Sequence, residues 1–158
     1  MGKDKKKKRI STGVIANRRA KFDYELEDEL RVGMSLDGRR VRAARDGHVS
    51  LQGAYVTARD GQLWLNGASF TLRMNTRGGE ERAVDSSAVR LLATKEQIFA
   101  MEREKKDGMT VVPTKLLTKG RFIKLVVAVG KGKKKYDKRE TIKRRDTERE
   151  HRRMLKKL

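Results

Sequence analysis

The sequence predicts a mainly β fold: a small, partly open antiparallel β-barrel with two short helices, followed by a charged tail. Three observations support this prediction. Apolar and charged residues alternate from Phe22 onward, turn signals separate short apolar runs, and apolar residues become scarce after residue 130. Short antiparallel strands joined by tight turns are typical of small barrels.

The first long strand follows from that alternation. Apolar residues occupy the even positions from Phe22 to Leu36, except Asp28, and the odd positions from Asp23 to Arg31 are all charged. A period of two buries one face of a strand and leaves the other in water. Because the run exceeds the usual strand length, we expect a bend or break between Asp28 and Gly33.

A short helix is predicted for "LDGRRVRAARDG", residues 36–47. Gly47 can adopt the left-handed conformation that ends many helices. Arg39, Arg42 and Arg45 are three residues apart and therefore share one helix face.

A β-hairpin and a second helix follow. Asp60-Gly61 is a strong hairpin-turn signal between apolar-rich segments. Residues 75–87, "NTRGGEERAVDSS", are predicted to be a polar loop. Thr94 and Gln97 have the spacing of a capping box at a helix start, and Gly108 can terminate that helix.

The last strand pair is predicted from "MTVVPTKLL" and "FIKLVVAV". Pro113 cannot donate a hydrogen bond in a sheet, so its strand should be at an edge or bulged there.

The charge distribution indicates a polyanionic partner. The chain has 41 basic and 21 acidic residues, a net charge of +20. Residues 1–10 carry six basic residues and one acid, and residues 131–158 carry fourteen basic and five acidic residues. Basic residues that neutralise phosphates release counterions, which favours RNA or DNA over an acidic protein. A membrane surface fits less well, because the tail lacks a broad apolar face.

Three segments are expected: a disordered basic arm at residues 1–12, the barrel at 13–130 and a basic tail at 131–158. The tail favours helix by propensity, yet no apolar residue lies between Ile142 and Met154. We therefore expect it to be disordered when free and helical on a charged surface.

Other function classes find little support. The chain has no cysteine, and His48 and His151 lack metal-ligand spacing. "GKGKKK" does not have the order of a phosphate-binding loop. We predict no enzyme, metal or cofactor. The absence of a long apolar run or signal peptide predicts a cytoplasmic protein.

Basic clusters and isolated aromatic residues are the candidate binding groups. Four arginines in seven positions of the first predicted helix, at 39, 40, 42 and 45, repel one another unless an anion neutralises them. We interpret them as RNA contacts rather than a solvated face. Trp64 is predicted in the core rather than as a base-stacking platform. Two roles fit Tyr136 equally: stacking on a nucleobase, or loose packing on the barrel rim.

Five stretches carry a resemblance to a known family: "VIANRRAKFDYELEDELRVGMSLDG", "LQGAYV", "QLWL", "TVVPTKL" and "GKGKKKYDKRETIKRRDTERE". Over residues 14–158 the chain resembles the tmRNA-binding proteins of bacterial trans-translation (SsrA-binding protein, small protein B, SmpB). The resemblance implies an OB-like barrel that binds the tRNA-like domain of tmRNA and delivers it to stalled ribosomes. It also implies a tail that becomes a helix in the empty mRNA channel. The alternative is another ribosome-associated basic protein that binds rRNA.

The resemblance also implies roles for individual residues in a protein expected to be monomeric. Asn17 and Lys124 match tmRNA-contacting residues, and Tyr136 matches an aromatic that stacks in the decoding centre. The expected tmRNA-binding set is Asn17, Arg18, Arg19, Arg39, Arg40, Arg42, Arg45 and Lys124. The expected ribosome-binding tail set is Lys133, Lys134, Tyr136, Asp137, Lys138, Arg139, Ile142, Lys143, Arg145, Met154 and Leu155.

The chain departs from the family pattern at three places. Residues 38–42 read "GRRVR" where the family usually has Gly-Thr-Glu-Val-Lys, so Arg40 replaces an acidic residue that contacts tmRNA. Phe22 replaces a histidine. Residues 69–98 lack the usual His-Asp-Pro and Arg-Lys-Leu-Leu-Leu signature. Because arginine only donates hydrogen bonds, we expect Arg40 to meet a phosphate or a base acceptor.

Overall fold

The computed structural model describes residues 13–76, 79–105 and 108–156, so the predicted basic arm at 1–12 lies outside the described residues. The elements in chain order are β1 Val14–Ala16, α1 Arg18–Asp23, β2 Tyr24–Met34, α2 Gly38–Arg45, β3 Val49–Ser50, β4 Tyr55–Arg59, β5 Gln62–Asn66, β6 Ser69–Thr76, β7 Gly79–Asp85, β8 Val89–Leu92, α3 Lys95–Glu104, β9 Met109–Leu117, β10 Lys124–Gly132 and α4 Lys135–Leu155.

Antiparallel strands form a closed barrel in the ring order β9, β10, β2, β8, β5, β4. The pairing of Val56 on β4 with Val111 on β9 closes the ring, where the sequence predicted a partly open one. β1 pairs with the end of β9, and β3, β6 and β7 form a second, three-stranded sheet. The predicted mainly β barrel fold with short helices is confirmed.

Aliphatic side chains fill the barrel. Leu65, Leu116, Leu125 and Val127 are fully buried. Burying one such side chain stabilises the fold by about 1.5–3 kcal/mol relative to leaving it exposed. Phe70 on β6 is also fully buried, so the second sheet is anchored in the same core.

The long strand β2 is continuous but bulged. Ala128 of β10 pairs with Glu29, and two residues later Gly130 pairs with Leu26. β2 therefore holds one extra residue at Glu27–Asp28, which bends a strand and increases its twist. The expected bend is thus a bulge at the start of the predicted interval.

The start of β2 was predicted wrongly. Residues 18–23 form helix α1, and the strand begins at Tyr24. Asn17 caps this helix through its side-chain oxygen, which accepts a hydrogen bond from the N–H of Ala20. Phe22 lies on the helix, although its even number places it in register with the strand pattern.

Helix α2 is confirmed, including its ends. The Asp37 carboxylate accepts a hydrogen bond from the N–H of Arg40 at the N-terminus. At the C-terminus Gly47 has a φ of +78°, and the N–H groups of Gly47 and His48 bond to the carbonyls of Ala44 and Ala43. This pair of bonds is the Schellman motif, which satisfies the last carbonyls of a helix.

The hairpin turn at Asp60-Gly61 is confirmed. Both residues have positive φ, 53° and 67°, and Arg59 pairs with Gln62 across the turn. Two consecutive left-handed residues give the turn type whose twist matches that of the strands.

The predicted polar loop at residues 75–87 is wrong. Most of it belongs to a second β-hairpin, in which β6 and β7 pair from Phe70–Asp85 to Thr76–Gly79. The strand β7 lacks the usual alternation of apolar and polar residues, because residues on both of its faces are exposed, among them Glu81, Arg82 and Val84. A strand that is wet on both faces has no apolar period to detect.

The remaining elements follow the prediction closely. The capping box of Thr94 and Gln97 is present, although α3 ends at Glu104, before Gly108. Pro113 does coincide with a bulge: Val126 pairs with Lys115 and Val127 with Pro113, which leaves Thr114 as the extra residue. The Thr114 hydroxyl donates to the carbonyl of Val126 at 3.3 Å.

Trp64 is not in the core. Its neighbours Leu63 and Leu65 are buried, so alternation places the indole on the outer face of β5, where it is partly exposed. The predicted core position is therefore wrong.

Candidate RNA-binding site

Helix α2 presents two of its arginines to an open groove. Asp37 fixes the start of the helix, and from its first and second turns Arg39 and Arg42 line a groove of about 760 Å³ between α2 and β6. Arg73 of β6 lines the same groove, and the Arg39 Nη1 atom lies 3.8 Å from the sulfur of Met74. Arg73 was not among the predicted site residues, although its place between Leu72 and Met74 fits strand alternation.

Arg40 faces a different partner. Its Nε and Nη2 atoms donate to the same Asp85 carboxylate oxygen at 2.9 and 2.6 Å, and Nη2 also bonds to the Ser87 hydroxyl. The guanidinium lies 5.5 Å above the centre of the Phe70 ring, and 12% of the side chain is exposed. The structure therefore holds Arg40 between α2 and the second sheet.

Asp85 is a strongly stabilised anion. The hydroxyl and the N–H of Ser87 donate to one of its oxygens at 2.7 and 3.0 Å, and Arg40 binds the other. Together these groups lower the pKa of Asp85 to about 2, with the Ser87 hydroxyl as the largest cause and Arg40 as a smaller one.

The end of α2 contacts the segment between β9 and β10. The Arg45 Nη2 atom donates to the carbonyls of Gly120 and Arg121 at 3.2 and 3.4 Å. Arg45 and Lys124 line one largely apolar cavity of about 350 Å³, together with the exposed ring of Phe122.

The sequence did not predict two further features of this cavity: the stacked pair Arg121 and Phe122, and the exposed side chain of Leu92. The Arg121 guanidinium lies 5.4 Å above the Phe122 ring, and Leu92 is 48% exposed. Phe122, at 68% exposure, had a visible signal, because it directly follows the polar turn "TKGR".

Asn17 is a buried structural residue. Its amide nitrogen donates to the carbonyls of Leu51 and Pro113, both at 2.9 Å, while its oxygen caps α1. The residue is 7% exposed. Both amide protons are thus used inside the protein, which favours a positioning role for Asn17 over the expected tmRNA contact.

Arg18 and Arg19 lie on α1 rather than beside α2. Arg18 is exposed, and the Arg19 Nε atom pairs with Asp23 at 2.9 Å. Asp23 also binds Lys138 of the tail, which places α1 beside the start of α4.

The tail is a helix joined to the barrel at its first turn. Its junction begins with the N–H of Lys133, which donates to the carbonyl of Asp23 at 2.8 Å. The Lys138 Nζ atom lies 2.8 Å from the Asp23 carboxylate. The hydrogen bond from Lys138 is the main cause that lowers the pKa of Asp23. The Asp137 side chain accepts from the N–H of Lys134 and caps the helix.

Beyond this junction the helix is exposed. In its described part, residues 135–155, α4 contains no buried residue. Tyr136 is 65% exposed and lines a cleft of about 940 Å³ between α4 and β2. The other exposed members of the predicted tail set are Lys134, Arg139, Ile142, Lys143, Arg145, Met154 and Leu155.

Within residues 13–76, 79–105 and 108–156, no group of three or more histidine, cysteine or acidic residues could hold a metal ion. None of the helices in those ranges is long and apolar enough to cross a membrane.

Comparison with known proteins gives consistent matches. A family model described as "SmpB protein" matches residues 14–157. An SsrA-binding protein of Oenococcus oeni is 37% identical over 147 residues, which covers 92% of this chain and 93% of that protein. An SsrA-binding protein of Coxiella burnetii is 38% identical over 157 residues, covering 99% and 98%. A solved structure described as "tmRNA-SmpB: a journey to the center of the bacterial ribosome" aligns with a TM-score of 0.64 and 28% identity, over 82% of this chain and 94% of the other.

Proposed function

The chain belongs to the SmpB protein family, and from this membership we propose that it is the RNA-binding adaptor of trans-translation. In this role it binds the tRNA-like domain of tmRNA and delivers it to a stalled ribosome. There its tail occupies the empty mRNA channel. The relatives are named for binding SsrA, and the aligned structure is named for tmRNA, SmpB and the ribosome.

One observation carries this proposal beyond the family name. Helix α4 is a 21-residue helix without a buried residue in its described length, and it leaves the barrel through a short polar junction. A helix that buries nothing on its own domain needs an external partner to hold it. Its many lysines and arginines match ribosomal RNA.

In this proposal each segment of the chain has its own binding partner or role. We assign residues 13–130 to binding of the tRNA-like domain, residues 131–158 to the ribosome and residues 1–12 to a basic arm. Tyr136 stacks on a nucleobase of the decoding centre, since its ring is exposed at the start of α4. Asp137, Lys138 and Arg139 set the geometry and charge of that first turn.

The tmRNA-binding surface consists of the exposed cations near both ends of α2 and on α1. Asn17 and Arg40 act as positioning residues, because they are largely buried and their polar atoms bond to the protein itself. The proposed contact residues are Arg18, Arg19, Arg39, Arg42, Arg45, Arg73, Arg121 and Lys124.

The protein works without catalysis in this proposal. It needs no metal or cofactor, acts in the cytoplasm where ribosomes translate, and functions as a monomer. The relatives are named for RNA binding rather than for a reaction.

The RNA that co-purifies with the full chain tests the proposal. We expect a single enriched species with a tRNA-like end and a short reading frame. Bulk ribosomal RNA without that species would instead favour a ribosome-associated rRNA-binding protein. Variants with basic side chains of α2 removed, such as Arg39→Ala with Arg42→Ala, should lose the enriched species while staying folded.

A further inference from the structure

Trp64 occupies an unusual place for the single tryptophan of a small barrel. It lies on the outer face of β5, between the buried residues Leu63 and Leu65. Across the sheet it pairs with Thr57 on β4 and Arg90 on β8. The large indole is thus set in a row with a small hydroxyl residue and a cation, where it contributes little to the core.

Trp64 lines a small cavity. Its volume is about 270 Å³, below the roughly 300–1,000 Å³ typical of sites for drug-sized ligands, so it suits a single planar ring system. Trp64 is the aromatic member of an otherwise mainly polar lining: Thr57, Arg59, Asp60, Gln62, Asn66 and Ala88.

Hydrogen bonds fix one side of this cavity. The Asn66 amide nitrogen donates to the Thr57 hydroxyl at 2.9 Å and to the Trp64 carbonyl at 3.2 Å. The Asn66 and Thr57 side chains are therefore held in place before binding, which reduces the entropy lost on binding. Gln62 is exposed at the opposite side, and its amide offers both a donor and an acceptor.

We propose that this cavity binds one unpaired nucleobase of RNA, stacked on Trp64. The Gln62 amide reads the base edge, and Arg59 contacts the adjoining phosphate. Aromatic platforms with neighbouring amides and arginines are the usual means of binding single-stranded RNA.

This site is distinct from the proposed tmRNA surface and does not depend on it. In the ring order, β5 lies three strands from β10, which carries Lys124, in either direction. An RNA that occupies the cavity by Trp64 therefore contacts the opposite wall of the barrel.

The indole itself reports on the test, because its emission comes from this site alone. The full chain is titrated with a single-stranded RNA oligonucleotide at about 0.2 M salt, where purely electrostatic binding is weakened. We expect saturable quenching of Trp64 emission. Inorganic polyphosphate, which has the charges but no bases, should bind without quenching. Equal quenching by polyphosphate, or RNA binding with unchanged emission, would overturn the proposal.

Three variants complete the experiment. Trp64→Leu should weaken oligonucleotide binding about 5- to 100-fold through loss of stacking. Phe99→Leu is the matched control, since Phe99 is a 62% exposed aromatic on α3, and should change nothing. Gln62→Ala keeps the tryptophan and should shift the quenching midpoint about 2- to 10-fold. Unchanged affinity in both Trp64→Leu and Gln62→Ala contradicts the site.

Discussion

Asn17 is a buried residue to which we assign a positioning role rather than a contact with RNA. Its side chain joins α1 to two other segments, through the carbonyls of Leu51 and Pro113. Asn17→Ala removes the helix cap and leaves two buried carbonyls without these donors. We expect the free energy of unfolding to fall by about 2–4 kcal/mol in a denaturant titration.

Arg18→Ala is the control for Asn17→Ala, because its side chain is exposed and it follows directly. Its unfolding free energy should stay within about 0.5 kcal/mol of wild type. If Asn17→Ala keeps full stability and loses RNA binding, Asn17 is a contact residue after all.

Arg39 and Arg40 are neighbours with opposite expected behaviour. Arg39 lines the open groove, so Arg39→Ala should reduce the slope of log affinity against log salt by about one phosphate contact. Arg40→Ala breaks the bond to Asp85, so it should lower the unfolding free energy by about 1–2 kcal/mol and leave that slope unchanged. A reduced slope for Arg40→Ala would place its guanidinium on RNA.

Asp85 should make the fold sensitive to acid. Its pKa is about 2 in the folded chain and about 3.9 in an unfolded one, so its stabilising contribution is complete above pH about 4. That contribution, about 1–2 kcal/mol after allowing for solvent screening, is lost as the pH falls from 4 to 2. Asp85→Asn should therefore lose less stability than wild type over that interval, measured by unfolding at each pH.

At the scale of elements, the sequence predicts those whose signals are local. The caps of α2, the Asp60-Gly61 turn and the Thr94–Gln97 box each lie within a few residues. The bulge at Pro113 also follows from chemistry, because a proline has no N–H to donate. Where a strand is exposed on both sides, as in β7, no such signal exists.

The candidate site was predictable in composition rather than in geometry. The arginine cluster on α2 is visible in the sequence, but the ion pair that occupies Arg40 comes from a residue 45 positions away. The predicted core position of Trp64 was wrong for another reason. It was based on the general preference of tryptophan for burial rather than on the alternation of Leu63 and Leu65 along the strand. That alternation was the better guide, because side-chain direction along a strand is set by backbone geometry.

A substitution at the junction of α4 should change the local stability of the helix without changing the stability of the barrel. Lys138→Ala removes the ion pair with Asp23, which is partly exposed, so the barrel's unfolding free energy should change by less than about 1 kcal/mol. Amide hydrogen exchange in the first turns of α4 should nevertheless become faster. Lys143→Ala, exposed on the same helix, should leave those exchange rates unchanged. Slow exchange retained in Lys138→Ala would show that another contact holds the helix.

At the scale of the whole molecule, stability and charge occupy different segments. Among the described residues, the buried apolar ones precede Gly130, whereas residues 133–158 hold thirteen basic and five acidic residues. Truncation after Gly132 should leave the melting temperature nearly unchanged and strongly reduce the salt dependence of non-specific RNA binding. Specific binding to the tRNA-like domain should persist, because our proposal assigns those contacts to the barrel.

Peptide tagging on a stalled ribosome measures how truncation after Gly132 affects ribosome rescue. The truncated protein should bind tmRNA in a gel shift yet fail to support tagging. Within the full chain, Tyr136→Ala should weaken ribosome engagement by about 1–3 kcal/mol, and Tyr136→His should be tolerated because histidine also stacks. Normal tagging by the truncated protein would remove the tail from the mechanism.

The closed ring also dictates when this protein can fold during its own synthesis. β2, near the start of the chain, completes its pairing with β10, and β1 pairs with β9. Contacts between segments so distant in sequence form slowly, because the intervening chain must first be ordered. A nascent chain that stops before residue 124 lacks the strand between β9 and β2, and its apolar strands stay exposed. The protein becomes resistant to proteolysis late, when little more than the tail remains to be translated.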